Sequence, residues 1–313
     1  MPSKASALDV NDIRLQLSAG RSYRQIAQGY GVDHKTVGKF VERHLPDLAR
    51  HPDHSSIFEA DRGRKLKLLV IDIETMANLA WVWDTWKQDI SPAQIVKHKR
   101  TISFAAKWVG DDEMHFYSEF HHGREEMVLA AWRLLNEADG VIGYNSQRFD
   151  HKHLNAEFWV AQLTPPAPYQ VIDLLSTVKQ NFVFGSNKLQ SVADRLGIGR
   201  KREHEGFALW LKCEAGDADA WERMREYNEN DVVLTERLYE RALPWITNHP
   251  SYAARTGDLV CPTCGATPEQ GYNRDGFRYT KTRAYQRYHC NRCGKWSRGR
   301  TYHIIGETTK TNS

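Results

Sequence analysis

Three short segments carry residue types that bind hard divalent cations. Leu68-Leu69-Val70-Ile71-Asp72-Ile73-Glu74-Thr75 holds two carboxylates at the end of an apolar run. Gly143-Tyr144-Asn145-Ser146-Gln147-Arg148-Phe149-Asp150 ends in a third. Tyr227-Asn228-Glu229-Asn230-Asp231 supplies a tyrosine and a fourth. Acids placed where a core is expected need a partner, and oxygen donors without a cysteine or histidine ligand pattern favour Mg²⁺ or Mn²⁺ over zinc. Two such ions about 4 Å apart serve in-line attack on a phosphodiester, one lowering the pKa of the attacking water and the other stabilising the leaving 3′ oxygen. A tyrosine one helical turn from a ligand can orient that water.

The elements that must hold these groups follow from hydrophobic period. Leu68 to Ile73 is apolar and β-branched, after the basic stretch Arg62-Gly63-Arg64-Lys65, and reads as a buried strand. Side chains alternate along a strand, so Asp72 and Glu74 share a face and repel each other unless a cation lies between them. Glu222 to Leu243 has a helical pattern, with Met224, Tyr227, Val232, Leu234, Leu238 and Leu243 available for a buried stripe. Tyr227 and Asp231, four apart, then share one helix face. Thr101 to Val109 and Met114 to Ser118 flank Gly110-Asp111-Asp112 as a hairpin. Glu125 to Glu137 reads as a helix and Val141-Ile142-Gly143 as the strand leading to Asp150.

These segments resemble the three motifs of the DEDD exonuclease superfamily in its tyrosine-bearing branch (DEDDy). Asp72-Ile73-Glu74-Thr75 is similar to the first motif. Gly143-Tyr144-Asn145 with Phe149-Asp150 is similar to the second in proofreading domains of family-B DNA polymerases, and Tyr227 with Asp231 to the third. Val171-Ile172-Asp173-Leu174 and Asn187 to Ala193 also look like stretches between the second and third motifs. The resemblance covers about residues 66–245. It implies a ribonuclease-H-like fold, a mixed α/β sheet flanked by helices, and 3′→5′ exonuclease chemistry with two Mg²⁺ or Mn²⁺. Asp72 would bridge both ions, Glu74 and Asp231 would bind the one that activates water, and Asp150 would hold the second. Tyr227 would orient the nucleophile, and Thr75, Asn145 and Phe149 would line the bound 3′ end. No polymerase domain fits in the rest of the chain, so the resemblance implies a stand-alone exonuclease of phage type or a partner in replication or recombination. The substrate would be DNA, single-stranded by preference. RNA is the alternative polymer, and a non-catalytic DNA-binding or scaffold protein on an idle fold the alternative class. His151 and His153 are expected to face solvent or substrate, and Asp173 to be a hydrogen-bonding acid at a strand end.

Two small modules flank this region, giving expected domains of 1–48, 66–247 and 255–305 with a linker at 49–65. In the first, Ile13 to Leu17 reads as a helix. Tyr23 to Tyr30 follows the cap Ser22 and ends at Gly31, and Asp33 caps His34 to Val41. Ala27 and Gly31 are small where two helices would cross, with Val37 and Phe40 filling the space between. This looks like a helix-turn-helix unit that would put His34, Lys35, Thr36 and Lys39 toward DNA, a helical protein-interaction appendage being the other reading. In the last, Cys261-Pro262-Thr263-Cys264 and Cys290-Asn291-Arg292-Cys293 form paired knuckles whose four thiolates suit one structural Zn²⁺ in a zinc ribbon, with disulfides as the alternative. Cys213 is expected to be simply buried. Basic residues interleaved with Tyr279, Tyr285, Tyr288 and Trp296 suit a nucleic-acid surface or a cap that docks a partner protein.

Composition agrees with this plan. The chain has 313 residues, 41% of them hydrophobic, and a net charge of +4. Residues 1–67 and 255–313 are net basic and the middle is net acidic, the balance expected of a metal-loaded site between phosphate-binding ends. No apolar run reaches the length of a membrane span and no signal-peptide core is evident, so a cytoplasmic enzyme of a bacterial or phage-infected cell is expected. Trp81, Trp83 and Trp86 are expected to pack in the core, base stacking being the other reading.

Overall fold

A computed structural model describes residues 8–18, 21, 23–45, 64–203 and 205–305. The chain folds as two compact units, 1–63 and 64–313. The expected linker lies outside the described residues as far as residue 63, as does the expected cap Ser22.

In the first unit three helices, α1 (Val10–Ser18), α2 (Tyr23–Tyr30) and α3 (His34–His44), close over Ile13, Ile26, Val37, Val41 and Leu45, all fully buried. Asp33 caps α3 by accepting from the Lys35 N–H at 2.7 Å. Phe40 lies at the margin of this core rather than inside it. Gly31 does not serve a helix crossing, because a Cβ there would meet nothing within 4 Å. Its φ of +62° is what the turn between α2 and α3 requires.

In the second unit a five-stranded mixed sheet has the order β5-β4-β1-β6-β7. The strands are β1 (Leu68–Met76), β4 (Arg100–Trp108), β5 (Met114–Ser118), β6 (Gly140–Gly143) and β7 (Gln170–Asp173). A short ribbon, β2 (Leu79–Ala80) with β3 (Ile95–Lys97), projects beyond β1. β1 pairs antiparallel with β4 and parallel with β6, so it is central and needs apolar residues on both faces. Leu69, Ile71 and Ile73 pack under α4 (Arg124–Glu137) and α5 (Asp150–Val160). Leu68 and Val70 pack against α6 (Leu174–Asn181), α7 (Leu189–Leu196) and, after the short α8 (Phe207–Glu214), the long α9 (Ala218–Ala242). The even-numbered face is therefore the α9 face, and Asp72 and Glu74 continue it. Each fully buried aliphatic side chain here contributes about 1.5–3 kcal/mol by leaving water.

β6 ends in a tight turn that delivers Asp150 to the start of α5. A Cβ on Gly143 would lie 2.5 Å from the Ser146 Cβ and 3.3 Å from the Ile71 carbonyl oxygen. Gly143→Ala must displace backbone at the centre of the sheet and is expected to destabilise the chain by about 2–3 kcal/mol. Thermal melting checks this; a melting temperature equal to the wild type would show that the turn opens freely.

After α9, α10 (Tyr252–Thr256) leads to a three-stranded antiparallel sheet, β8 (Tyr272–Tyr279), β9 (Arg283–Cys290) and β10 (Trp296–Ile304), with β9 in the middle. The Lys295 ammonium donates to the carbonyls of Pro244 at 3.1 Å and Ile246 at 2.6 Å, just past the C-terminus of α9, where a cation is favoured. Arg255 bonds Asp139 at 2.6 Å, tying the same module to the loop before β6. Among the described residues no helix is long and apolar enough to cross a membrane.

Candidate active site

The C-terminal end of β1 and the middle of α9 face each other across the sheet edge, and their carboxylates converge. One oxygen each from Asp72, Glu74 and Asp231 lie within 4.8 Å of one another. Asp231 is buried, while Asp72 and Glu74 are half-buried and leave the cluster open on one side. Asp150 is buried beside them, its Oδ1 accepting from the Ile73 N–H at 3.2 Å. Helix α9 is held in place by Asn228, whose side-chain amide donates to Asp72 Oδ2 at 2.9 Å and to its carbonyl at 3.1 Å. The Asn228 Oδ1 accepts from the Ser103 hydroxyl at 3.2 Å. Lys107 pairs with Glu236 at 2.6 Å and fixes the same helix to β4. The β1–β4 register slips between Glu74 and Thr75, so Glu74 pairs with Ser103 but Thr75 with Thr101. Such a bulge re-aims the side chains beside it.

Concentrated negative charge shows in the acidities. Burial, then the charges of Asp150, Asp231 and Glu74, holds Asp72 well above the usual carboxylate range. Glu74 is pushed up to about 8 by burial and by Asp231. Asp150 is pushed up to about 7 by burial, against backbone N–H groups that lower it. The Lys201 charge lowers Asp72 and Glu74 but does not offset burial and the neighbouring carboxylates, and a divalent cation would supply the balance. An ion with ligands at about 2.1 Å brings oxygens roughly 3–4 Å apart, so the cluster fits such an ion. The three grouped acids could hold one, and Asp150 extends the set beside it.

Tyr227 lies one turn before Asp231 on the same face. Burial and Asp231 push its phenol up to about 12, so it keeps its proton at neutral pH. Between them the structure places Lys201, whose ammonium bonds Asp231 and donates to Tyr227 Oη at 3.2 Å. Burial alone would lower the Lys201 pKa, but Asp231 and Tyr227 outweigh it and hold the amine charged. Lys201 and Asn228 are the site residues the sequence reading missed. Lys201 sits in a basic run that reads as a solvated loop, and Asn228 offered only its place beside Tyr227. Lys201→Met removes an ammonium bonded to buried Asp231 and is expected to cost about 3 kcal/mol in metal-free buffer. Mn²⁺ should then raise the melting temperature of this variant more than that of the wild type. An equal metal response in both proteins would show that ammonium and metal do not compete for one place.

The other expected residues fall as follows. Thr75 flanks Glu74 at the bulge. Asn145 takes φ +64°, and its N–H donates to Asp173 Oδ1 at 3.0 Å. Asp173 also caps α6 through the Leu175 N–H at 3.0 Å, the hydrogen-bonding role expected of it. Phe149 is partly buried on the core, with the Lys99 ammonium 4.8 Å over its ring and His153 edge-on at 4.6 Å. His151 does not face solvent. It is buried against the Tyr169 hydroxyl at 3.1 Å, and burial lowers its pKa to about 4. Cys213 is buried as expected, and burial pushes its thiol up to about 12. The tryptophans at 81, 83 and 86 are not in the core. They are 79%, 97% and 74% exposed, at and beyond the end of the β2–β3 ribbon, which closes where Trp81 and Gln94 exchange hydrogen bonds of 3.0 Å.

Away from this site, Cys261, Cys264, Cys290 and Cys293 bring their sulfurs within 4.8 Å of one another. Cys261–Cys293 and Cys264–Cys290 are each 3.6 Å apart, far beyond a disulfide and close to the roughly 3.8 Å edge of a tetrahedron with 2.3 Å zinc–sulfur bonds. On α3, Lys35 and Lys39 are exposed and His34 and Thr36 half-exposed.

Residues 89–243 match the RNase_H superfamily model. The match contains Asp150, Tyr227 and Asp231 and begins after β1, so Asp72 and Glu74 lie outside it. No curated protein matches the chain. Sheet order, flanking helices and the family match together identify a ribonuclease-H-like nuclease fold.

Proposed function

We propose that the chain is a metal-dependent 3′→5′ exonuclease of the DEDDy type that hydrolyses DNA, preferring unpaired 3′ ends. The convergence of Asp72, Glu74 and Asp231, with Asp150 beside them and Tyr227 one turn from Asp231, carries this reading. A pair of Mg²⁺ or Mn²⁺ held by these carboxylates would supply activation of water and neutralisation of the leaving 3′ oxygen. Tyr227, protonated at neutral pH, orients the attacking water by a hydrogen bond. The Lys201 ammonium, 3.2 Å from that phenol, positions it and adds positive charge where phosphate arrives. Thr75, Asn145 and Phe149 flank the 3′ terminus, and Lys99 over Phe149 places a cation at the same edge. One Zn²⁺ on the four cysteines stabilises the C-terminal sheet, and His34, Lys35, Thr36 and Lys39 on α3 contact DNA.

The test is a purified-protein assay on 5′-labelled single-stranded and duplex DNA and matching RNA, with Mg²⁺ or Mn²⁺. Stepwise shortening from the 3′ end of single-stranded DNA is expected. Internal cuts, or shortening of RNA alone, would overturn the polarity or the polymer. Tyr227→Phe is expected to slow turnover about 10–100-fold with little change in metal dependence. An unchanged rate would remove the phenol from the mechanism.

A further inference from the structure

We propose that the outward face of the C-terminal three-stranded sheet is a binding surface for single-stranded DNA, separate from the carboxylate site. The inference extends the nuclease reading, since it supplies the same chain with a hold on unpaired strand. Alternation along β9 sends Arg283, Tyr285, Arg287 and His289 to one side, while Gln286, Tyr288 and Cys290 take the side of the cysteine cluster. Across to β10 the register pairs Tyr285 with Tyr302, Arg287 with Arg298, and His289 with Trp296.

The guanidinium groups lie against rings instead of waving in solvent. Arg283 is 4.1 Å over Tyr302, Arg298 is 4.4 Å over Tyr285, and Arg287 is 4.4 Å over Trp296. His289 stands 4.5 Å from Trp296, and Tyr285 is 5.6 Å from Tyr302. The result is a ladder of alternating cations and rings. A guanidinium held this close over a ring has already lost much of its rotamer freedom. Arg287 donates from Nε to the Asp275 carbonyl at 2.8 Å and from Nη2 to Asp275 Oδ1 at 3.5 Å, and its remaining N–H groups can donate to phosphate. Trp296 and Tyr302 remain 47% and 43% exposed, which leaves ring surface for a base.

Charge favours a polyanion. Strands β9 and β10 contain no Asp or Glu, and Asp275, 3.5 Å from Arg287, is the acid that reaches the ladder from β8. Residues 255–313 hold 11 basic and 4 acidic groups. Phosphate contact alone would suit duplex equally, but rings between the cations reward bases whose faces are free, and only an unpaired strand offers those.

The experiment measures fluorescence anisotropy of labelled 20-residue oligo-dT with the full chain, its zinc retained and no other divalent ion added, over a salt series. Arg287→Ala with Arg298→Ala is expected to weaken binding at least 10-fold and to flatten the slope of log K against log salt by about 1.4. Arg287→Lys with Arg298→Lys should keep that slope while losing part of the affinity, because an ammonium cannot lie flat on a ring. Trp296→Ala should weaken oligo-dT about 5–100-fold and duplex far less. Zinc content and melting temperature confirm that each variant is folded, and Trp296→Phe and the lysine pair serve if an alanine variant is not. Oligo-dT affinity unchanged in every folded variant would overturn the proposal. So would equal losses for duplex, binding of oligo-rU but not oligo-dT, or an equally tight polyglutamate probe lost with the same residues. Cleavage is not read, so a chain that binds as described and never shortens DNA would sink the nuclease reading alone.

Discussion

Replacing Asp231 with asparagine is expected to lower phosphodiester cleavage by about 10³-fold or more while the chain stays folded. Asparagine keeps the shape and loses the charge, so a metal there loses an anionic ligand. Opposed effects act on the fold. Lys201 gives up its ion pair, but Glu74 and Asp72 are relieved of a charge that raises both. Steady-state rates against Mn²⁺ concentration decide the matter, with Asp72→Ala as companion. More than a tenth of wild-type activity in either variant would remove these acids from the site. The same groups set the pH dependence. A carboxylate binds metal only when ionised, and Glu74 stands at about 8 and Asp150 at about 7 without metal. Lowering the pH from 8 to 6 puts protons on both, so cleavage at sub-saturating Mg²⁺ should fall and added Mg²⁺ should restore it.

Removal of zinc is expected to have the largest effect on stability. The core of the C-terminal sheet is small, built on Cys261, Ala266, Tyr272, Cys290 and Cys293, so few other apolar groups hold it. Structural zinc contributes about 10–16 kcal/mol of apparent binding energy in small domains, and zinc on these four thiolates would contribute it here as folding energy. A strong chelator, or Cys261→Ser with Cys290→Ser, should therefore release one zinc per chain and expose residues 258–305 to protease. The α/β core should resist for longer. Metal-free protein with unaltered protease resistance would show that packing alone holds the ribbon.

What the sequence disclosed depended on how local the signal was. Asp72 and Glu74 were legible because a β-branched run fixes a strand and its alternation fixes their common face. Tyr227 and Asp231 followed from helical spacing, and the four cysteines from their knuckles. Lys201 was not legible: its place depends on how the loop after α7 returns to α9, which no period encodes. The exposed tryptophans at 81, 83 and 86 were misread because aromatic type favours burial on average and says nothing of a ribbon that projects from the core. His151 was misread for the opposite reason, since a polar residue beside a site acid packs inward once α5 turns its face to Tyr169.

The two faces of β1 are divided by parity, with aliphatics at 69, 71 and 73 and acids at 72 and 74. Inserting or deleting one residue between 68 and 72 would shift both carboxylates to the α4–α5 side and bring an aliphatic to the edge where the acids cluster, a double fault that no single compensating substitution repairs. This strand is thus closed to changes of length. Elongation of the chain by insertion has its open ground in residues 82–93, which stand in solvent, as long as Gln94 keeps the backbone and side-chain amide bonds that close the tip on Trp81.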